Sequence, residues 1–497
     1  MSTYPVQTIV VVGGGTAGWM SASLLARKLA SPERQIILVE SPEIAPVGVG
    51  EATVPTIRLF NQALGLDEFE FLRATQGTCK LGIAFKDWGS VGNGHFHGFG
   101  DYGQSIEGVA PHHFWHRLRE QGDGTPIDDY SLPAVLARHG KFLPGNSQET
   151  RHQHAFHFDA GLYANHLRAF AKKLGVTHVE GRIEQVALHG ETGAIKALHL
   201  VSGDVISGDF FVDCSGFSSL LLGKALNTPF VDWSHLLACD SAIAVPCSRE
   251  GASASFTTST ARSVGWQWRI PLQHREGNGL VYSSAHCNDS AAEDMLFANL
   301  PGNATGSPRR FRFKPGHRAQ FWNRNCVGIG FAGGFLEPLE STAIQLIQNG
   351  IARLIEFLPD RSGSPILAAE YNRVTQIEWE RIRDFILGHY VVSQRPEPFW
   401  RDCCAISLPD TLRYKLELWR ASGRVALFEG ESHLEPSWVA ILLGNGYIPL
   451  SHDARADAVD SATLVAAMTR RRQEVTRTAQ SCPDHQAWLD RNCKAGT

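Results

Sequence analysis

The sequence has no apolar run of bilayer-spanning length near its start. Thr8-Ile9-Val10-Val11-Val12 is five residues long, against the roughly 20 that a spanning helix needs. No basic stretch precedes it, and glycines rather than a small-residue cleavage site follow, so no signal peptide is expected. An excess of basic charge is also lacking. Lys and Arg number 46 against 50 Asp and Glu, for a net charge of −4, which leaves no footprint for nucleic acid or an anionic membrane. Ten cysteines occur without a single Cys-x-x-Cys, and Cys403-Cys404 is the only close pair. Free thiols in a reducing, cytoplasmic compartment are therefore expected rather than disulfides. His95-Phe96-His97 and His152-Gln153-His154 come without carboxylates or a helical i, i+4 pair, so no metal site is expected. Repeats and low-complexity linkers are absent. The oligomeric state leaves no readable trace, and a homodimer is compatible with the sequence without being required by it.

What is present begins at once. Gln7 to Val12 reads as a β-branched strand, Gly13-Gly14-Gly15-Thr16-Ala17-Gly18 follows, and the stretch from Trp19 to residue 30 has helical composition. A second strand, Gln35 to Glu40, ends in an acid 22 residues after Gly18. Strand, glycine turn, helix, strand and acid form a dinucleotide-binding βαβ unit. In such a unit Gly13 permits the tight turn, Gly15 lets backbone approach a pyrophosphate, and Gly18 lets helix pack on strand. Thr16 and Ala17 lie where unpaired helix amides favour the phosphates, and Glu40 where a ribose hydroxyl needs an acceptor.

Further along, Gly89 to Pro144 shows little periodicity and reads as long loops. Gly161 to Leu174 reads as a helix, with strands over Ile183–Val186, Ala194–Val201 and Asp209–Val212. Asp240 to Ser284 reads as antiparallel strands, Cys326 to Ile329 as another strand, and a helix is expected from near Thr342. Helical patterns dominate beyond residue 365, clearest over Glu378–Tyr390 and Leu412–Ala421. The expected fold is α/β: a discontinuous nucleotide-binding lobe with an interleaved antiparallel sheet over residues 1–365, and a mainly helical cap over residues 366–497.

Two more segments concern the cofactor. Phe211-Val212-Asp213-Cys214-Ser215-Gly216-Phe217 resembles the second nucleotide-contacting segment of the FAD monooxygenase (PHBH-like) folds. Gly330-Phe331-Ala332-Gly333-Gly334 resembles the third, under the flavin. Gly328, Gly330 and Gly333 also match the dinucleotide spacing, but no helix opens after Gly333 and no second strand with an acid follows. One FAD site and no nicotinamide domain are expected, so reduced flavin has to come from a separate flavin reductase.

The stretch Gly265-Trp266-Gln267-Trp268-Arg269-Ile270-Pro271 is unusual. At period two, Trp266, Trp268 and Ile270 share one face, with Gln267 and Arg269 opposite, and Pro271 marks an edge or an end. Packing of a sheet face accounts for the tryptophans by itself. Their company suggests more: Lys80 among Thr78, Cys79, Leu81, Gly82 and Ile83, and Glu340 within Glu337-Pro338-Leu339-Glu340-Ser341-Thr342. A lysine in apolar surroundings loses solvation, which lowers its pKa; a lysine at a strand end on the surface is the plainer alternative. An acid at a helix start also needs no special role.

Together with Gly13–Met20, these segments resemble the flavin-dependent halogenases of the tryptophan-halogenase type. The resemblance extends over Gly48–Pro55, Thr78–Trp88, Gly265–Pro271, Phe335–Thr342 and Ser437–Pro449. It implies that FADH2 and oxygen form a C4a-hydroperoxide, that a halide (chloride or bromide) turns it into hypohalous acid, and that Lys80 delivers the halogen to an electron-rich, indole-like aromatic substrate. By the same resemblance Glu340 positions the oxidant or accepts the ring proton. Glu51, Ala52, Thr53, Asp213 and Gly333 join the cofactor site, and the backbone of Thr342 and Ala343 holds the halide. His97, Phe99 and Trp438 contact substrate, though Phe99 is equally readable as core. Trp266, Trp268, Ile270, Pro271 and Ser341 line a tunnel for the oxidant.

The family usually has glycine where this chain has Ala343. Should that position need φ > 0, alanine strains the loop and bromide is favoured over chloride. The clamps that hold the amino-acid group of free tryptophan are not evident between Cys403 and His433, so a more open pocket is expected. A single-component aromatic hydroxylase and a non-catalytic flavoprotein are the alternatives.

Overall fold

A computed structural model describes residues 5–29, 31–43, 50–145, 150–361 and 363–496; Gly48 and Val49 of the Gly48–Pro55 segment fall outside them. The chain forms two compact units, each assembled from separated stretches. The first is Met1–Gly77, Phe158–Ser234 and Arg312–Trp379; the second is Thr78–His157, His235–Phe311 and Glu380–Thr497. The helix Pro365–Val391 opens at the expected boundary, residue 365.

The first unit is organised by a six-stranded sheet in the order Trp322–Asn323, Cys326–Gly328, Phe210–Asp213, Thr8–Val12, Gln35–Glu40, Thr177–Glu180. Thr8–Val12 pairs in parallel on both sides, Val10 with Phe211 and with Ile37. Both faces are covered, so the strands read as continuous apolar runs. Val10, Val12, Ile37 and Val39 pack with Ile195, Leu198 and Leu200 of a three-stranded antiparallel sheet. Ile9, Val11, Ile36 and Leu38, which alternate with them, are buried too. The helix Thr16–Leu29 follows directly, as the glycine turn requires.

The second unit is organised by a seven-stranded sheet in the order Arg309–Arg312, Ser241–Cys247, Glu276–Tyr282, Gly265–Pro271, Thr257–Arg262, Gly82–Lys86, Gly94–Gly98. The antiparallel strands expected between Asp240 and Ser284 are all present. The tryptophan strand is interior, and Pro271 ends it where the chain turns back to Glu276.

The loops expected over Gly89–Pro144 are a misreading. The stretch contains the strand Gly94–Gly98 and the helices Pro111–Glu120 and Leu132–Arg138. Seven consecutive residues, His112 to Leu118, are buried in the first helix and six, Leu132 to Ala137, in the second. A helix buried all round shows no amphipathic stripe, and its histidines masked the apolar character.

Candidate active site

In the first unit the glycine loop is shaped by contacts that tolerate no side chain. Gly13 has φ +117°, and a Cβ there would stand 2.3 Å from the Cys214 carbonyl oxygen. A Cβ at Gly18 would meet the Gly13 oxygen at 1.7 Å, and one at Gly14 would meet Glu40 Oε2 at 1.4 Å. Gly15 differs: nothing lies within 4 Å of its Cβ position. The loop is therefore tight toward the protein and open at the second glycine, beside the first turn of Thr16–Leu29 with its unpaired amides. That shape fits a pyrophosphate.

Glu40 leans on the loop, and its Oε1 accepts from His178 Nε2 (2.6 Å) and Arg168 Nη2 (3.0 Å). Trp19 packs edge-on against His178, with Arg168 over its ring. The Gly330 turn, with φ +68°, reaches this loop as well, its Cβ position 3.0 Å from the Ala17 methyl. Gly333 is pressed against the Gly328 oxygen.

Asp213 is wholly buried and fully engaged. It accepts from Ser215 N and Oγ and from Leu221 N and Leu222 N, at 2.5 to 3.0 Å. Its carboxylate shapes the turn that the cofactor would meet, and has no capacity left for a ligand. Ala52 and Thr53 are buried. Glu51 keeps some accessible surface, but protein surrounds its carboxyl at interior density, and that burial pushes its pKa up to about 7.

The helix Ala343–Phe357 begins inside the same unit. Glu340, Ser341 and Thr342 are all buried, and the side chain of Thr342, the N-cap residue, makes no capping bond among the described residues. Buried, uncapped amides need an anion or a dipole. The strain expected at Ala343 is not there: the left-handed residue is Ser341, at φ +61°, and Ala343 is simply the first helical residue. The stated ground for a bromide preference therefore falls away.

In the second unit Lys80 lies on the strand Thr78–Lys80, paired with Ala155–Asp159 so that Thr78 faces His157 and Lys80 faces Ala155. Its accessible surface is zero, and its Nζ lies 5.2 Å from the centre of the Phe99 ring, which is half-buried. Thr78 Oγ1 donates to the Pro271 carbonyl (2.8 Å) and also lies 2.9 Å from His157 Nδ1. A hydroxyl has one proton, so His157 Nδ1 is the donor to Thr78, and Nε2 accepts from Thr257 Oγ1 (2.9 Å). Burial, then the Lys80 charge and then His485 hold the His157 pKa well below its usual range. Burial likewise takes His485 down to about 4. The lysine thus stands among neutral imidazoles, and the Thr78–Pro271 bond ties its strand to the end of the tryptophan strand.

On that strand Trp266 is buried against Trp88, itself enclosed by Phe85, His389, Tyr390 and Trp400. Sheet packing accounts for this ring. Ile270 and Pro271 are buried, while Trp268 is half-buried and lies over Gly279, where a Cβ would stand 2.0 Å from it. On the opposite face Gln267 is buried and its Oε1 accepts from Arg262, while the partly exposed Arg269 pairs with the buried Glu276.

His97 belongs to an aromatic group that sequence reading only partly found. Phe385 stacks on His433 (3.8 Å, 10° between planes), and His97 stands edge-on to Phe385. Trp438, fully buried, meets Phe385 edge-on at 4.9 Å, and its indole N–H has no hydrogen-bond partner among the described residues. Beneath its ring Lys415 pairs with Glu431 at 2.5 Å. Phe385, His433, Lys415, His157, Arg168 and His178 were all missed. A histidine in the apolar strand Ala155–Asp159 was the one available signal.

A glycine loop under a parallel sheet, joined by the Cys214 and Gly330 turns, defines a flavoprotein of the PHBH-like FAD-binding fold. The family model described as Tryptophan halogenase matches residues 8–461, and the chain belongs to that family. It is 35% identical to tryptophan 7-halogenase RebH of Lentzea aerocolonigenes, over 92% of this chain and 93% of that protein. Its structure resembles BrvH, a flavin-dependent halogenase from Brevundimonas sp. BAL3 (45% identity, TM-score 0.95, covering 98% of this chain and 99% of that one). It also resembles Xcc4156, a flavin-dependent halogenase from Xanthomonas campestris (43%, TM-score 0.96, 99% of each chain). The protein is a flavin-dependent halogenase, acting with FADH2 and oxygen on an aromatic substrate and supplied by a separate flavin reductase. The readings as a single-component hydroxylase and as a non-catalytic flavoprotein give way. No helix among the described residues is long and apolar enough to cross a membrane.

Proposed function

We propose that this halogenase acts on an indole-like ring, with Lys80 as the residue that directs the halogen. The observation that carries the reading is a lysine with no accessible surface, its ammonium 5.2 Å from the half-buried ring of Phe99. Reduced flavin and oxygen supply the oxidising equivalent that converts halide to hypohalous acid. Lys80 Nζ hydrogen-bonds the hypohalous acid and aims its halogen at a carbon of a ring laid against Phe99. A C–X bond forms, the O–X bond breaks, and the ring proton leaves with the oxygen as water. Glu340 receives that proton or positions the oxidant. Positioning is the larger contribution, because collapse of the arenium ion is easy and effective molarity is not.

The buried, uncapped start of Ala343–Phe357 supports halide binding on the Thr342 and Ala343 amides. Gly13, Gly15, Thr16, Ala17, Gly18 and Glu40 would hold the dinucleotide, with Glu51, Ala52, Thr53 and Gly333 closer to the flavin. His97 and Phe99 would meet the substrate directly, and Trp438 would act from behind Phe385. We assign the passage of oxidant to Trp268, Ile270, Pro271 and Ser341, with Trp266 as a supporting ring. The ten free cysteines favour a reducing cytoplasm.

The test supplies a flavin reductase, FAD, NADH, oxygen and bromide or chloride to a panel of indoles and phenols, and reads halogen isotope patterns by mass spectrometry. Indoles should be halogenated, and Lys80→Ala should remove product by about 10²–10⁴-fold while flavin reoxidation continues. Undiminished product from Lys80→Ala would reject the role of the lysine. Turnover of phenols alone would reject the substrate.

A further inference from the structure

The helix Pro111–Glu120 carries a cluster that halogenation does not use. His116 and Glu120 are four residues apart and share a helix face, and His452 of the second unit's last segment meets both. His116 Nδ1 lies 3.6 Å from Glu120 Oε2, and His452 Nδ1 lies 3.1 Å from the same oxygen. One atom from each of the three residues lies within 4.8 Å of the others.

The protons can be placed. His116 Nε2 is 2.9 Å from the Pro449 carbonyl oxygen. A carbonyl only accepts, so Nε2 carries the hydrogen, and Nδ1 of the neutral ring carries a lone pair. His452 Nε2 is likewise 2.9 Å from Asp457 Oδ1. Two lone pairs therefore converge on an acceptor-only carboxylate, which is unfavourable unless a cation lies among them.

A doubly protonated His452 shared by Asp457 and Glu120 is the competing assignment. It needs Nδ1–H aimed at Glu120, yet neither Nδ1 has a hydrogen bond of acceptable direction among the described residues. Ligands of one ion are directed at the ion and not at each other. Two atoms about 2.0–2.1 Å from a tetrahedral zinc ion stand roughly 3.3 Å apart, between the two separations found here. Each imidazole also shows the outer contact usual for a metal ligand, one ring N–H given to a carbonyl and the other to a carboxylate.

We propose that His116 Nδ1, Glu120 Oε2 and His452 Nδ1 bind a divalent transition-metal ion, zinc by choice of donors, with a fourth position left to water. Glu120 is half-exposed, so water and metal reach the site. Asp457, held in turn by Arg117 at 3.6 Å, orients His452. The ion fastens the helix to the segment from Pro449 to Asp457, and none of its ligands is a residue assigned to halogenation. No metal site was expected from sequence, because His116 and Glu120 were not read as a helical pair.

The test uses the full chain with any affinity tag removed, stripped of metal and titrated with Zn²⁺ against a chromophoric chelator near neutral pH. One Zn²⁺ per chain should bind in the tight class. Affinity should fall at least tenfold in His452→Ala and in Glu120→Gln. Asp457→Asn, which alters no ligand, should lower it by about 10–100-fold. His116 is buried and its replacement risks the fold; His452 and Glu120 are more exposed and keep the test decisive. The proposal is overturned if the protein shows no saturable Zn²⁺ site, or if His452→Ala and Glu120→Gln bind zinc as tightly as the parent. It is equally overturned if His178→Ala abolishes the site, which would move the ion to Glu40, His178 and Glu180.

Discussion

The Lys415 ammonium sits over the face of Trp438, 4.4 Å from the ring centre. Both side chains are buried, and so is Glu431, the partner of Lys415. Burial lowers the Lys415 pKa, and the bond to Glu431 opposes that shift. Lys415→Met should therefore leave a stranded carboxylate and cost about 3–5 kcal/mol. Chemical denaturation measures the loss. The double change Lys415→Met/Glu431→Gln should recover part of it, and strict additivity of the two single changes would contradict the pairing.

Gly13 and Gly15 should separate folding from cofactor binding. Gly13→Ala forces a side chain into φ +117° and onto the Cys214 carbonyl, and should lower stability sharply. Gly15→Ala meets no protein atom within 4 Å, so its melting temperature should match the parent's. Its FAD affinity should drop, because the methyl group occupies the open side of the loop. Fluorescence titration with FAD reads this, and an unchanged Kd would remove the pyrophosphate from that side.

Ala343→Gly, a change toward the usual family residue, should not improve the enzyme. Ala343 is helical, so glycine there should cost about 0.5–1 kcal/mol through backbone entropy. The ratio of chlorinated to brominated product under equal halide should stay within about twofold, far less than the tenfold shift that 1.4 kcal/mol would produce. A large shift would return the alanine to a controlling position.

Acid should destabilise the second unit before base does. Burial lowers His112 and His485 to about 4 and holds His157 well below its usual range. These depressed values favour the neutral ring in the fold, so their stabilisation is complete above the unfolded value near 6.5. It declines as pH falls from there toward the folded values. Glu51 has the opposite sign. Its pKa, raised from 4.5 to about 7, favours the folded state at low pH, and that contribution is lost between those two values as pH rises. Melting temperature against pH should show the histidine slope below 6.5, and His112→Gln should flatten it. A flat profile between 4 and 6.5 would contradict the burial of these rings.

The parallel strands around Val10 and Ile37 were legible because both their faces are buried and period and composition agree. The glycine loop was legible because each glycine answers a steric demand that Gly13, Gly14 and Gly18 meet in the structure. Pro111–Glu120 was not, since burial on every side erases periodicity. Ala343 was misjudged because dihedral angles are a property of the fold, and the left-handed position fell two residues earlier, at Ser341. The His433–Phe385 stack and the His116–Glu120–His452 group join residues distant along the chain, and no local pattern announces such meetings.

The helix Ala343–Phe357 starts indoors, and Thr342 at its N-cap gives it no side-chain bond among the described residues. A solute bound at the helix's first amides would be a piece of the architecture that the chain does not itself supply. If that solute is also the reagent, every turnover empties the place it fills, and ambient salt must refill it before the next cycle can begin.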